Sequence, residues 1–298
     1  MQIKSFFILI YFVGLTSHLI AQGMEDVKIS VVRVTDNIYM LKGRGGNIGV
    51  ITGDNGTLIV DDQFGELTEK IKQAIKTITD NPVKFVVNTH LHGDHLGGNE
   101  NFANGGSIII AHENVRKRIS TEQFNKLMNT STPPLAKAAW PVITFNTDIQ
   151  FYIGDEVVHV IKTSNAHTDG DGIIYFKKAN VVHTGDTFVT YGFPYIDVPS
   201  GGTFLGLIQA SEMLLKNIDR QTKIIPGHGE VCSKKDVELF ISRLKEIRDI
   251  VKSGIKAGKD ASKLINENVL SKFEKEWGNG FIKAKDFIST IYPELKGE

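Results

Sequence analysis

Short apolar runs alternating with turn residues open the chain. Residues 27–34, 37–42, 47–52 and 57–60 read as four strands, punctuated by Asp36-Asn37, Gly45-Gly46 and Gly53-Asp54-Asn55-Gly56. A β-meander is the simplest arrangement for them. The period then changes. Leu67, Ile71, Ala74, Ile75 and Ile78 fall on one side of a helix over 66–79, which Pro82 stops. Strands follow at 84–88 and 107–111. The stretch 113–139 is polar and irregular, and Ser131-Thr132-Pro133-Pro134 breaks any helix through it. It is either a pocket wall together with Trp140 or a surface excursion. A second set of strands covers 148–153, 157–162, 172–177 and 180–183. A helix over 203–218, a last strand at 223–226 and a helix over 234–253 complete the set. Ser233 caps that last helix, with Asp236 three residues on. The remainder, to Tyr292, is helical and charged. Each half thus begins with antiparallel strands and ends in helices. The expected class is α/β: an αβ/βα four-layer sandwich, two mixed β-sheets packed face to face with helices outside.

Composition adds little to this picture. The 298 residues are 41% hydrophobic and 23% charged with a formal net charge of zero, so nothing suggests an electrostatic nucleic-acid binder. The N-terminus does change the picture. Lys4, an apolar run over 6–15 and Ala21 form the pattern of a secretory leader, cleaved after Ala21 or Gln22. An uncleaved anchor is the alternative. The expected organisation is a leader over 1–22 and one domain over 23–298 with a helical C-terminal segment. The mature protein is then periplasmic or secreted, with no stable membrane span. The single cysteine, Cys232, cannot form an internal disulfide.

The chemistry is concentrated at His90-Leu91-His92-Gly93-Asp94-His95, where four metal-capable side chains fall within six residues. A helix would face them in different directions. A strand suits His90 and His92 but not the adjacent Asp94 and His95. The run therefore reads as a tight loop at the end of a strand, with Gly93 permitting the turn. Imidazole and carboxylate donors suit zinc and similar divalent ions.

This H-x-H-x-D-H run resembles the first metal motif of the metallo-β-lactamase superfamily. Asn165-Ala166-His167, His183-Thr184-Gly185-Asp186 and Pro226-Gly227-His228-Gly229 resemble its later motifs, in the same order. The resemblance implies His90, His92 and His167 around one zinc, and Asp94, His95 and His228 around a second. Asp186 would bridge the two. Asp61 would brace the metal loop by hydrogen bonds. Two such ions can share a water and lower its pKa toward ~7, giving a hydroxide that attacks an acyl carbon. Asp94 would orient that nucleophile and handle its proton. Tyr191 is either an oxyanion donor or an aromatic packing residue. His112 and His159 are expected on the surface, and His183 buried behind the metal loop.

The resemblance implies a small-molecule acyl substrate, such as a β-lactam or a lactone. The largest lactamase subclass has a cysteine where Asp186 stands, no metal histidine at the position of His95, and a lysine shortly after the bridging position that this chain lacks. The ligand set is closer to the superfamily's lactonases and thioesterases. A glyoxalase II-like thioesterase, or an iron-dependent persulfide dioxygenase on the same fold, are the alternatives.

Overall fold

The structure is a computed structural model that describes residues 23–125 and 130–297. The expected leader over 1–22 lies outside the described residues. Two mixed sheets form the middle of the molecule. The first has seven strands: β1 (Ser30–Arg33), β2 (Ile38–Lys42), β3 (Ile48–Gly53), β4 (Gly56–Val60), β5 (Val83–Val87), β6 (Ile108–His112) and β9 (Ile143–Phe145), side by side in that order. The second has five: β10 (Asp148–Ile153), β11 (Glu156–Lys162), β12 (Gly172–Phe176), β13 (Val181–His183) and β14 (Lys223–Ile225). A separate two-stranded ribbon pairs β7 (Gln123–Asn125) with β8 (Thr130–Thr132).

Both sheets begin antiparallel and end parallel. The meander β1–β4 is antiparallel, whereas β4, β5, β6 and β9 run parallel. In the second sheet β10–β13 are antiparallel and β14 is parallel to β13. Parallel neighbours require crossovers, and the helices supply them. Between the sheets lies a core of Ile38, Met40, Ile51, Leu58, Val60, Val158, Ile174 and Phe176, among others drawn from both. This is the face-to-face packing expected from the chain pattern. Helices α1 (Thr68–Lys76) and α3 (Asn99–Asn104) cover the outer face of the first sheet through Ile71, Ile75 and Phe102.

Helices α5 (Phe204–Lys216), α6 (Lys234–Lys256) and α9 (Ala284–Lys296) cover the second sheet through Leu207, Leu244, Ile247, Phe287 and Ile291. Two smaller helices, α7 (Ala261–Asn266) and α8 (Glu274–Trp277), complete that layer. The cap at Ser233 is a full capping box with Asp236, as the spacing predicts. No helix among the described residues is long and apolar enough to cross a membrane.

Two stretches differ from expectation. Asp94 and His95 do not lie in an irregular loop but on a single helical turn, α2 (Gly93–Leu96), entered from His92 in extended backbone. Gly93 is not in the left-handed region, and a Cβ there would meet open space, so the turn does not require glycine. The stretch after β6 is not wholly irregular either. It opens with α4 (Glu113–Ile119), whose Val115 and Ile119 pack on Leu96 and Ala111.

Candidate metal centre

The metal-capable side chains leave the C-terminal ends of the parallel strands, where open α/β sheets place their crevices. His90 and His92 follow β5, Asp186 follows β13 and His228 follows β14; His167 comes from the turn between β11 and β12. Three triads have ligand atoms within 4.8 Å of one another: His90–His92–His167, His90–His95–Asp186 and Asp94–His95–His228. Each takes two donors from residues 90–95 and one from further along the chain.

The spacing is that of donors around an ion. Tetrahedral donors about 2.0–2.1 Å from zinc stand about 3.3–3.4 Å apart. Here His92 Nδ1 lies 3.1 Å from His90 Nε2 and 2.8 Å from His167 Nε2. His95 Nε2 lies 3.3 Å from His228 Nε2, and His228 Nε2 lies 3.3 Å from Asp94 Oδ2. Asp186 divides its oxygens between the groups. Oδ1 is 3.2 Å from His95 and 3.5 Å from His228, while Oδ2 is 3.7 Å from His167. Asp186 Oδ1 is buried without a hydrogen-bond partner, and a cation is the natural partner for it. The donor set therefore fits divalent metal, with Asp186 placed between its two ends.

The second ring nitrogens explain why the donors aim inward. His90 Nδ1 meets Thr89 Oγ1 at 2.9 Å, His92 Nε2 meets Asp197 Oδ2 at 3.0 Å, and His167 Nδ1 donates to the Tyr195 carbonyl at 2.7 Å. Such contacts fix ring orientation and tautomer. His95 Nδ1 lies 2.8 Å from Asp61 Oδ2. Asp61 also accepts from the Thr89 amide and hydroxyl, each at 2.7 Å. It does so from a left-handed backbone, φ 64°, rare for a residue with a side chain. One buried carboxylate thus ties the metal turn to the end of β4.

Burial drives the electrostatics. It pushes His90 well below the usual imidazole range and His167 down to about 4, so both stay neutral with lone pairs free. Burial also opposes charge on His95, but Asp186 and Asp61 outweigh it and raise its pKa well above the usual imidazole range, so an ion binding at Nε2 would displace a proton. Burial opposes ionisation of Asp186, yet His95 and its neighbours hold the carboxyl well below the usual range.

Two glycines let backbone approach these groups. A Cβ on Gly46 would come within 2.1 Å of the His95 ring, and one on Gly227 within 2.0 Å of Asp186 Oδ1. His183 is fully buried behind the site, 2.9 Å from the Asn47 carbonyl and accepting from the Gly185 amide, as expected.

The centre opens into a cavity of about 840 Å³. Tyr191 lines it, edge-on to the His228 ring at 5.4 Å. Trp140 does not. Its indole donates to the Leu135 carbonyl at 3.0 Å and its ring lies under Arg116, packed against the small core beneath α4. His112 is not a surface residue. It is 4% exposed, caps α4 by accepting from the Asn114 amide, and reaches the Asn146 carbonyl. His159 is part-exposed and pairs with Asp148 at 2.9 Å. Sequence reasoning missed Asp197 and Thr89. Asp197 lies in a loop without a motif; Thr89 adjoins His90, and a hydroxyl next to a ligand was the available signal.

The chain belongs to the metallo-β-lactamase superfamily, whose model matches residues 41–228. That fold is one of metal-dependent hydrolases. Among solved structures, the chain is similar to a metallo-β-lactamase from Pontibacter korlensis, with TM-score 0.60 and 19% identity over 73% of this chain and 99% of that one. It is equally similar in fold to the DIM-1 metallo-β-lactamase, with TM-score 0.60 and 15% identity over 74% of this chain and 100% of that one. A curated relative, the alkyl/aryl-sulfatase BDS1 of Saccharomyces cerevisiae, is 35% identical over 69 residues, which are 22% of this chain and 11% of that protein.

Proposed function

We propose that this protein is an exported, zinc-dependent hydrolase of a lactone, β-lactam or related acyl substrate. The observation that carries the reading is the pair of facing donor sets bridged by Asp186 at the floor of an open cavity. Two divalent ions held there would supply Lewis acidity at an acyl oxygen and acidify an incoming water.

The protein's own groups have distinct parts. Asp94 sits at the cavity floor with its side chain 30% exposed. Burial opposes its ionisation, but His228 and His95 hold its carboxyl below the usual range, so it is ionised and able to orient a water beside the centre. Burial pushes the Tyr191 phenol far above its usual range, so it remains a hydrogen-bond donor beside the centre. That suits a developing oxyanion. The leader pattern of Lys4, residues 6–15 and Ala21 supports export.

The test is metal analysis of the purified mature protein with a panel of lactones, β-lactams and thioesters. The stretch shared with the sulfatase adds sulfate esters to that panel. Zinc near two per chain with acyl hydrolysis is the expected result. Iron with oxygen consumption and no hydrolysis overturns it in favour of the redox alternative. N-terminal sequencing of protein from its native host should find a start near residue 22; a start at Met1 overturns export.

A further inference from the structure

Phe281 is 80% exposed, yet it borders the cavity above the metal centre. A large ring left in water carries information when it adjoins a site. The ring stands edge-on to Tyr195 at 6.3 Å. Phe64 and Leu91 line the same cavity.

Its position is firmly built. Ile282 bridges to Phe193 in the backbone, and Trp277 packs edge-on to the Phe193 ring at 5.5 Å. Gly280 lies so close to the Tyr191 carbonyl that a Cβ would be 2.3 Å away. The segment 277–282 is thus fastened to the loop that carries Tyr191 and Tyr195. That segment lies beyond residues 41–228, the part that matches the superfamily. The ring at the cavity lip therefore comes from outside the matched stretch, from the segment between α8 and α9.

The charges around the cavity point the same way. Of the carboxylates that line it, Asp94 and Asp186 are taken up as metal donors and Asp197 by His92, so they leave no free charge for a substrate arm. Among the described residues the one Lys or Arg lining it is Arg118, which is committed to Asp169 through two hydrogen bonds of 2.9 and 2.6 Å. Among the described residues, a substrate arm carrying negative charge finds no uncommitted Lys or Arg there. An uncharged apolar arm removes Phe281 and itself from water.

We propose that the site selects substrates whose scissile bond carries an uncharged aromatic or alkyl arm, and that Phe281 is the residue that selects them. This rests on the hydrolase reading above. Phe281 touches neither metal donor nor reacting bond, so its part is specificity.

The test uses the full mature chain loaded with zinc. Binding of acetohydroxamate, hexanohydroxamate and a carboxylate-ended hydroxamate of similar length is measured by calorimetry, which needs no turnover. Rates on nitrophenyl acetate and nitrophenyl hexanoate are measured beside it. The parent should favour the hexanoyl arm by roughly tenfold or more in both assays, the least expected when even one methylene of the arm is buried. Phe281→Ala should lose that preference, with acetohydroxamate binding and metal content unchanged, and Phe281→Leu should retain most of it. An equal preference in the parent and in Phe281→Ala overturns the inference, as does equal binding of the carboxylate-ended arm. Turnover without an arm preference sinks this inference alone. An intact binding preference without turnover of any ester, lactone or β-lactam supports the inference and sinks the hydrolase reading alone.

Discussion

The two halves of the metal centre are held to different degrees. In the His90–His92–His167 triad, every ring has its second nitrogen fixed, by Thr89, Asp197 and the Tyr195 carbonyl. Two of its three side chains are buried to within 1% of full cover. In the Asp94–His95–His228 triad only His95 is buried and braced, by Asp61. Asp94 is 30% exposed and His228 24%, and the His228 ring leans on Tyr191. The first triad is built to hold an ion in one geometry. The second faces the cavity and keeps room for substrate. A rigid anchor beside an open working position is the usual division between structural and catalytic metal ligation.

The largest effect should come from the open half. Asp94→Asn keeps shape and removes charge, so hydrolysis should fall by ~10²–10⁴. Metal analysis should still find the first triad loaded. Full rate in Asp94→Asn would remove Asp94 from the chemistry.

Next come the braces. Asp197→Asn should weaken the first ion and Asp61→Asn the second, each by ~10–100-fold in affinity. Competition with a chromophoric chelator measures both. If Asp197→Asn leaves both affinities unchanged, His92 does not need its partner.

Chelation itself should separate the halves. The ion of the open triad should leave first, and thermal melting should fall in two steps. An ion at 100 times its dissociation constant adds about 2.7 kcal/mol to stability, so each step is measurable. Release of both ions with one affinity would erase the distinction.

The smallest effect belongs to His112→Asn. Asparagine can keep the α4 cap but not the reach to the Asn146 carbonyl, so chemical denaturation should show a loss of at most about 1 kcal/mol, with activity and metal content near those of the parent. An activity loss as large as that of Asp94→Asn would contradict the assignment of the centre.

The strands and the main helices were legible because their apolar periods are clean. Residues 148–153 form β10 as expected, and α5 starts beside its Thr203 cap. The donors were legible because ligand chemistry uses few residue types at tight spacing. What the sequence hid depends on contacts across the chain. Asp197 reaches His92 over 105 positions, and no local pattern marks that pairing. His112 reads as a polar residue at a strand end, but the strand delivers it into a helix cap. Trp140 reads as part of either a pocket wall or a surface excursion because the neighbouring stretch looks irregular in sequence. In space it packs against the small core beneath α4, with Arg116 over its ring. Phe281 lies in a charged helical tail whose apolar residues look like ordinary packing until the fold places one at the cavity lip.

Every triad takes two donors from residues 90–95 and closes with His167, Asp186 or His228. That division gives the chain an order of events. A growing or partly threaded chain carries the first four donors early, yet none of its triads can close until the second sheet has formed. His228, which follows β14, completes the last of them. Ion capture therefore reports that the strands of both sheets are in place. A product ending before His228 would lose that donor together with α6 to α9, and so would lack both the working ion and the outer layer of the second sheet.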